Sequence, residues 1–229
     1  MQKYFYLSTN NTMVFEAPWN GADQDTKSPA TSLGSPGASC GRPLANGSDF
    51  NWTPYDPATG PTTNTHTLQA TCRLESVPSK VIFGQIHADT PVPTNGAVPA
   101  ITLFHEGFGT STKKIKLAVY YSPDRSVTNT GGVQTLDVVS GVNLGDRIDY
   151  ELKLEATTNG AVTLYATVAT NGGTAITNTV PMTSGVFSGW ANTNVTLYFK
   201  AGGYYPTAAT SSMGSGFRAI YARPFLGSP

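Results

Sequence analysis

The sequence predicts an all-β protein, a jelly-roll sandwich of two curved antiparallel sheets. Three observations carry this. Apolar residues alternate with polar ones in segment after segment, the period of a half-buried strand. No stretch shows a convincing helical period or a repeat of fixed length. Glycine (24) and proline (16) punctuate the 229 residues along with many Thr, Asn and Ser, as expected of short strands joined by turns and long connections. This length suits one large β domain over residues 1–229. Charged residues make up only 12% and the formal net charge is zero, so no electrostatic case exists for a nucleic-acid or membrane partner. No apolar run approaches a membrane span.

Taken in order, residues 3–7 and 12–16 read as short strands about an Asn10-Asn11 turn. Residues 17–60 are loop-like, broken by Pro and Gly; so long a loop in a compact domain is usually functional or pinned. Residues 67–74 form a strand with Leu68, Ala70, Cys72 and Leu74 on one face. Residues 81–88 form the next, with Ile82 and Ile86 expected on one side and Gln85, His87, Val81 and Phe83 on the other. A Pro-rich loop follows to Val98, then strands at 100–105 and 114–121. Arg147 to Glu155 alternates most cleanly: Ile148, Tyr150, Leu152 and Leu154 face a core, while Asp149, Glu151 and Glu155 face water. Asn159-Gly160 is a hairpin turn leading to Val162, Leu164, Ala166 and Val168, and Asn171-Gly172-Gly173 is another turn. Strands at 195–200 and 217–225 close the chain.

Cys40 and Cys72 are the only cysteines. An even count in a secreted-looking composition favours a disulfide over two buried thiols. It would close a loop of about 33 residues, a stabilisation of roughly 3–4 kcal/mol on the chain-entropy account.

Two stretches carry chemistry. In Gln85-Ile86-His87 an amide and an imidazole share one face of a buried-looking strand. In Tyr198-Phe199-Lys200-Ala201-Gly202-Gly203-Tyr204-Tyr205, Tyr198 and Lys200 share the polar face. Tyr204 has the same parity if the strand runs on, and Gly202-Gly203 marks a bulge or a close approach of the backbone. Alone, the second stretch is either a solvated strand end or a site. His66 and His105 read as structural, and three His with two Cys lack the close spacing of a zinc site.

Together the two stretches resemble the QIH and YFKAGxYxQ motifs of the jelly-roll alginate lyases (polysaccharide lyase family 7), whose scaffold also serves the glucuronan lyases. The resemblance runs from about residue 40 to the end of the chain. It implies a concave substrate cleft and cleavage of a uronate polymer by β-elimination. A base removes the C5 proton beside the carboxylate, and an acid protonates the glycosidic oxygen leaving C4, giving an unsaturated sugar. The site must neutralise the carboxylate and the charge that grows on it. By resemblance Tyr204 is the acid, with the role of base open to it as well. His87 is the base or a carboxylate neutraliser, and Gln85 is a neutraliser. Lys200 and Tyr198 bind neighbouring sugars or hold the site.

A third family motif, R-T/S-E-L-R, meets Arg42-Pro43-Leu44-Ala45-Asn46, where Arg42 falls at the first Arg, as a carboxylate clamp or an ordinary loop arginine, and Asn46 falls at the second. The Glu is absent and Pro43 intrudes. The C-terminal motif ends Tyr204-Tyr205-Pro206, with Tyr205 placed among the substrate contacts. These departures point to a divergent alginate lyase or to a relative acting on another uronan, such as β-1,4-glucuronan.

No metal or organic cofactor is required; the loops hold carbonyls and Asp enough for a structural Ca2+, which the sequence does not specify. The expected partner is an acidic polysaccharide, with no nucleic acid or membrane, and the expected state is a monomer. The expected location is extracellular, with the signal peptide not present in this chain. The rival from another class is a lectin-like binding domain stacking sugars on Tyr198, Tyr204, Tyr205 and Trp190. A polyanion binder of zero net charge also needs its Lys and Arg gathered at the cleft.

Overall fold

A computed structural model describes residues 5–7, 13–17, 31–32, 55–56, 60–61, 64–76, 80–88, 99–107, 110–123, 132–157, 159–191, 197–204 and 217–227. The strands are β1 (Phe5–Leu7), β2 (Met13–Ala17), β3 (Thr31–Ser32), β4 (Tyr55–Asp56), β5 (Gly60–Pro61), β6 (Asn64–Ser76), β7 (Lys80–Ala88) and β8 (Pro99–Glu106). They continue with β9 (Lys114–Tyr120), β10 (Val133–Ser140), β11 (Arg147–Ala156), β12 (Val162–Thr170), β13 (Ile176–Pro181), β14 (Leu197–Tyr204) and β15 (Phe217–Gly227). A 3-10 helix, Gly185–Trp190, precedes β14.

Two antiparallel sheets form the sandwich. The larger has the order β1-β2-β15-β6-β11-β12-β13, the smaller β10-β9-β8-β7-β14-β3. Their inner faces supply one core. The larger sheet gives Leu68, Ala70, Cys72 and Leu74 from β6, Ile148, Tyr150, Leu152 and Leu154 from β11, and Val162, Leu164, Ala166 and Val168 from β12. These are the apolar faces that alternation predicts. The smaller sheet answers with Ile86, Ile101, Leu103, Ile115, Leu117, Leu197 and Ala201. Burying each such aliphatic side chain stabilises the fold by roughly 1.5–3 kcal/mol. Cys72 sits in this core at 1% exposure, while Cys40 lies outside the described residues.

Beside the two-residue strands β3, β4 and β5, which fall in or at the end of the loop expected over residues 17–60, two longer strands escape the sequence reading, β10 and β13, and each is the edge of its sheet. In both, most positions are exposed and a single residue is buried, Val138 and Val180 respectively, so neither alternates clearly. The hairpin turns hold. Gly160 (φ 80°) and Asn171 (φ 52°) take left-handed backbone, and Gly160 N–H donates to the Thr157 carbonyl at 2.9 Å.

Strand β7 departs from the expected pattern in a way that bears on the site. Val81, Phe83, Ile86 and Ala88 all join the core, whereas Ile82 joins Phe104 and Ala118 in a separate cluster on the other face. Val81 and Phe83 therefore do not accompany Gln85 and His87, and Ile82 does. The cause is a bulge: against β8 the register steps from Ile82–Phe104 to Gly84–Leu103, so β7 carries one extra residue. Side-chain parity inverts there, which a strict period of two does not anticipate.

Half-buried His66 and buried His105 set a pH dependence of stability. Burial holds His66 down to about 4 from 6.5, and burial also lowers His105, whose Nε2–H donates to the Val142 carbonyl at 3.0 Å. Between pH 6.5 and 4 the unfolded chain takes up a proton at position 66 that the folded chain refuses. Stability is thus fully present above 6.5 and falls as pH drops through that window. The melting temperature is expected to fall between about pH 7 and 5, and His66→Gln to flatten that fall. An identical slope in the variant would remove His66 as the cause.

Candidate active site

The outer face of the smaller sheet gathers the polar residues of both motifs. Strand β14 pairs antiparallel with β7, setting Tyr198 opposite His87 and Lys200 opposite Gln85. Residues directly opposite in such a ladder share a face at short range. Leu197 and Ala201, which flank them on β14, enter the core, as Ile86 does on β7. The row runs on from Gln85 to Thr102 on β8 and Ala118 on β9.

Although they face away from the core, Gln85 (7% exposed), Tyr198 (5%) and Thr102 (2%) are withdrawn from water. Low local dielectric strengthens hydrogen bonds and charge interactions made there. His87 is half-buried. Its Nδ1 lies 2.7 Å from the Ala88 carbonyl oxygen. A carbonyl only accepts, so Nδ1 carries the proton and the neutral ring keeps its lone pair on Nε2. The His87 ring lies 5.5 Å from that of Tyr198, tilted by 38°. The Lys200 ammonium stands 5.3 Å from the centre of the same phenol ring, within cation–π range.

Beyond Ala201 the β14 register shifts, and Tyr204 comes opposite Ile82. Gly202 supplies the necessary backbone at φ 138°, a conformation other residues rarely adopt. The Gly202-Gly203 step is thus a bulge. It matches the bulge in β7, so the Tyr204 position stands opposite a residue of the Gln85–His87 face, about 10 Å along the strand from Gln85. The side chain of Tyr204 lies outside the described set, as do Arg42, Asn46 and Tyr205.

The local charge balance on this face differs from that of the whole chain. Among the described residues its strands carry Lys80, Lys114, Lys116 and Lys200 against Glu106 and Asp137. Lys116 lies 2.5 Å from Glu106 and 3.7 Å from Asp137, and Lys114 lies 2.5 Å from Asp137. Lys80 rests 4.0 Å from the centre of the Phe104 ring, and burial lowers its pKa. The acidic side chains Asp149, Glu151 and Glu155 lie on the opposite, outer face of the larger sheet, where Arg147 holds Asp149 at 2.8 Å. Sequence reasoning misses Thr102 and the apolar neighbours Ile82 and Phe104. The glycine inside β7, Gly84, is the available signal for the bulge that turns Ile82 outward.

Trp190, a candidate stacking platform, is 5% exposed and donates its Nε1–H to the Tyr120 carbonyl at 2.7 Å. It anchors the 3-10 helix rather than offering a flat sugar-binding surface. Among the described residues no three His, Cys, Asp or Glu side chains gather as a metal-holding group.

An amide, an imidazole, a phenol and an ammonium set in two facing pairs contain no carboxylate pair of the kind a glycoside hydrolase needs. On a jelly-roll sandwich they define a polysaccharide lyase. The sequence model described as "Alginate lyase" matches residues 1–223. The chain belongs to the alginate lyase family. No curated protein matches it. Among solved structures it is similar to an alginate lyase from Pseudomonas aeruginosa at 24% identity and TM-score 0.68, covering 100% of this chain and 87% of that one. It is similar to the alginate lyase from Klebsiella pneumoniae at 20% identity and TM-score 0.69, covering 99% and 85%. A third is a family 7 alginate lyase variant in complex with substrate, at 24% identity and TM-score 0.65, covering 100% and 82%.

Proposed function

We propose that this polysaccharide lyase acts on alginate, with Tyr204 as the acid and the Gln85–His87 face receiving the uronate at which elimination occurs. The observation that carries the reading is the facing of Gln85 with Lys200 and His87 with Tyr198 on one largely dry surface, beside the Tyr204 position. The Gln85 amide donates to the substrate carboxylate and stabilises the charge that develops there as C5 loses its proton. His87 either takes that proton on the Nε2 lone pair or, as an imidazolium with both nitrogens protonated, helps neutralise the carboxylate. Tyr204 protonates the oxygen leaving C4. Lys200 and Arg42 hold carboxylates of the polymer, and Tyr198, Asn46 and Tyr205 contact neighbouring sugars. The lysines gathered on this face give a neutral chain a surface suited to a polyanion.

The departures at Pro43, Asn46 and Tyr205-Pro206 fit a divergent alginate lyase and equally a relative acting on another uronan such as β-1,4-glucuronan. One experiment separates the two. Ultraviolet absorbance of the new C4=C5 bond is followed on polymannuronate, polyguluronate and glucuronan side by side. A rise on either alginate block supports the first reading, and a rise on glucuronan alone the second. Binding to the polymers with no rise on any would return the lectin-like reading.

A further inference from the structure

We propose that Tyr150, on the opposite sheet, is a positioning residue for Gln85 and His87 because it locks the β7 bulge that turns them outward. This rests on the reading of Gln85 and His87 given above. The register steps over Phe83 against β8, from Ile82–Phe104 to Gly84–Leu103; against β14 the shift falls at the same place, but there the extra residue is in β14, between Ala201 and Tyr204. At that step Phe83 and Gly84 both face the core, and from Gln85 onward parity is inverted. The Tyr150 side chain crosses the core to this point. Its hydroxyl donates to the Phe83 carbonyl at 3.1 Å, in a buried setting. Its ring meets that of Phe83 edge-on, with centroids 5.5 Å apart at 72°. Gly84 makes room for it: a Cβ there would lie 3.0 Å from Tyr150 Cε2 and 3.3 Å from its hydroxyl oxygen.

Three observations therefore converge on one place: a bulge, a hydrogen bond to the carbonyl of its extra residue, and a glycine whose missing side chain admits the donor. A bulge is a local choice between two registers, and sliding by one residue exchanges the faces of a strand. Fixing Phe83 fixes which side Gln85 and His87 occupy. Tyr150 stands on the core side of the sheet, away from the site face. It acts through the backbone of β7, and small errors in placing catalytic groups are costly.

The test uses Tyr150→Phe in the full chain, which keeps the ring and its contact with Phe83 and removes only the hydroxyl. Hydrogen exchange of the amides from Ile82 to His87 is expected to quicken about tenfold. The kcat on the preferred polymer is expected to fall about tenfold with KM held within about twofold, since positioning is felt most in the transition state. Gly84→Ala, which pushes the ring off the carbonyl, should give the same signature, and the double variant should lose no more than either alone. Val180→Ala, which thins the core at the edge strand β13, where its cross-strand partner is Leu164 and not a neighbour of Tyr150, should lower the melting temperature without changing kcat. Unchanged exchange in β7, or faster exchange with kcat at the wild-type value, overturns the proposal. So does a kcat loss in Val180→Ala equal to that in Tyr150→Phe at matched stability. Exchange does not depend on turnover, so a wild-type chain inactive on every polymer overturns the reading in the preceding subsection and leaves this result decisive.

Discussion

Tyr204→Phe is expected to lower kcat by about 10²- to 10⁴-fold, the range a positioned proton donor contributes, while the chain folds and binds polymer as before. The substitution removes one hydroxyl from the end of β14. The backbone that places it is built from two devices already in the ladder, the Gly202 bulge and the pairing with Ile82. Neither depends on the phenol oxygen, so the melting temperature should move little. Initial rates from the ultraviolet product signal, with polymer affinity measured separately, check this. A variant that keeps more than about a tenth of the wild-type kcat would remove Tyr204 from the acid role, because a missing general acid costs at least that much.

His87→Asn is expected to lower kcat/KM by about 10²- to 10³-fold, and its pH profile decides the role of the imidazole. The Ala88 carbonyl fixes the neutral tautomer with the lone pair on Nε2, the form a base requires. If His87 takes the C5 proton, the acid limb of the kcat/KM profile disappears in the variant. If it neutralises the carboxylate instead, the rate falls at all pH values and the limb stays. Activity within about threefold of wild type would make His87 a structural partner of Tyr198, whose ring it already meets at 5.5 Å.

Much of the site is legible in the sequence. The alternation of Val195 to Lys200 puts Tyr198 and Lys200 on one face, and the spacing of Gln85 and His87 does the same for them, because side chains in a strand alternate strictly when the register is unbroken. The paired glycines at 202 and 203 announce a bulge. What the alternation cannot supply is the break at Phe83–Gly84. Read with a constant period, β7 puts Val81 and Phe83 beside Gln85, whereas both are core residues. An isolated glycine hints at a bulge but does not say on which side the extra residue falls. The edge strands β10 and β13 are illegible for another reason: an edge buries little, so the apolar period that marks a strand is absent.

Side-chain period and turn chemistry are enough to settle the class of fold, the inward faces of β6, β11 and β12, and the residue types of the two motifs. Each of these is a local consequence of which residues stand a few positions apart. The folded sandwich alone brings β14, more than a hundred positions from β7 in the chain, to lie beside it with Lys200 opposite Gln85 and Tyr198 opposite His87. It alone sends Tyr150 from β11, in the other sheet, across the core to the Phe83 carbonyl. Pairing of distant strands is chosen by burial summed over the whole sandwich and by the register of every neighbouring ladder, and no window of local sequence contains that sum.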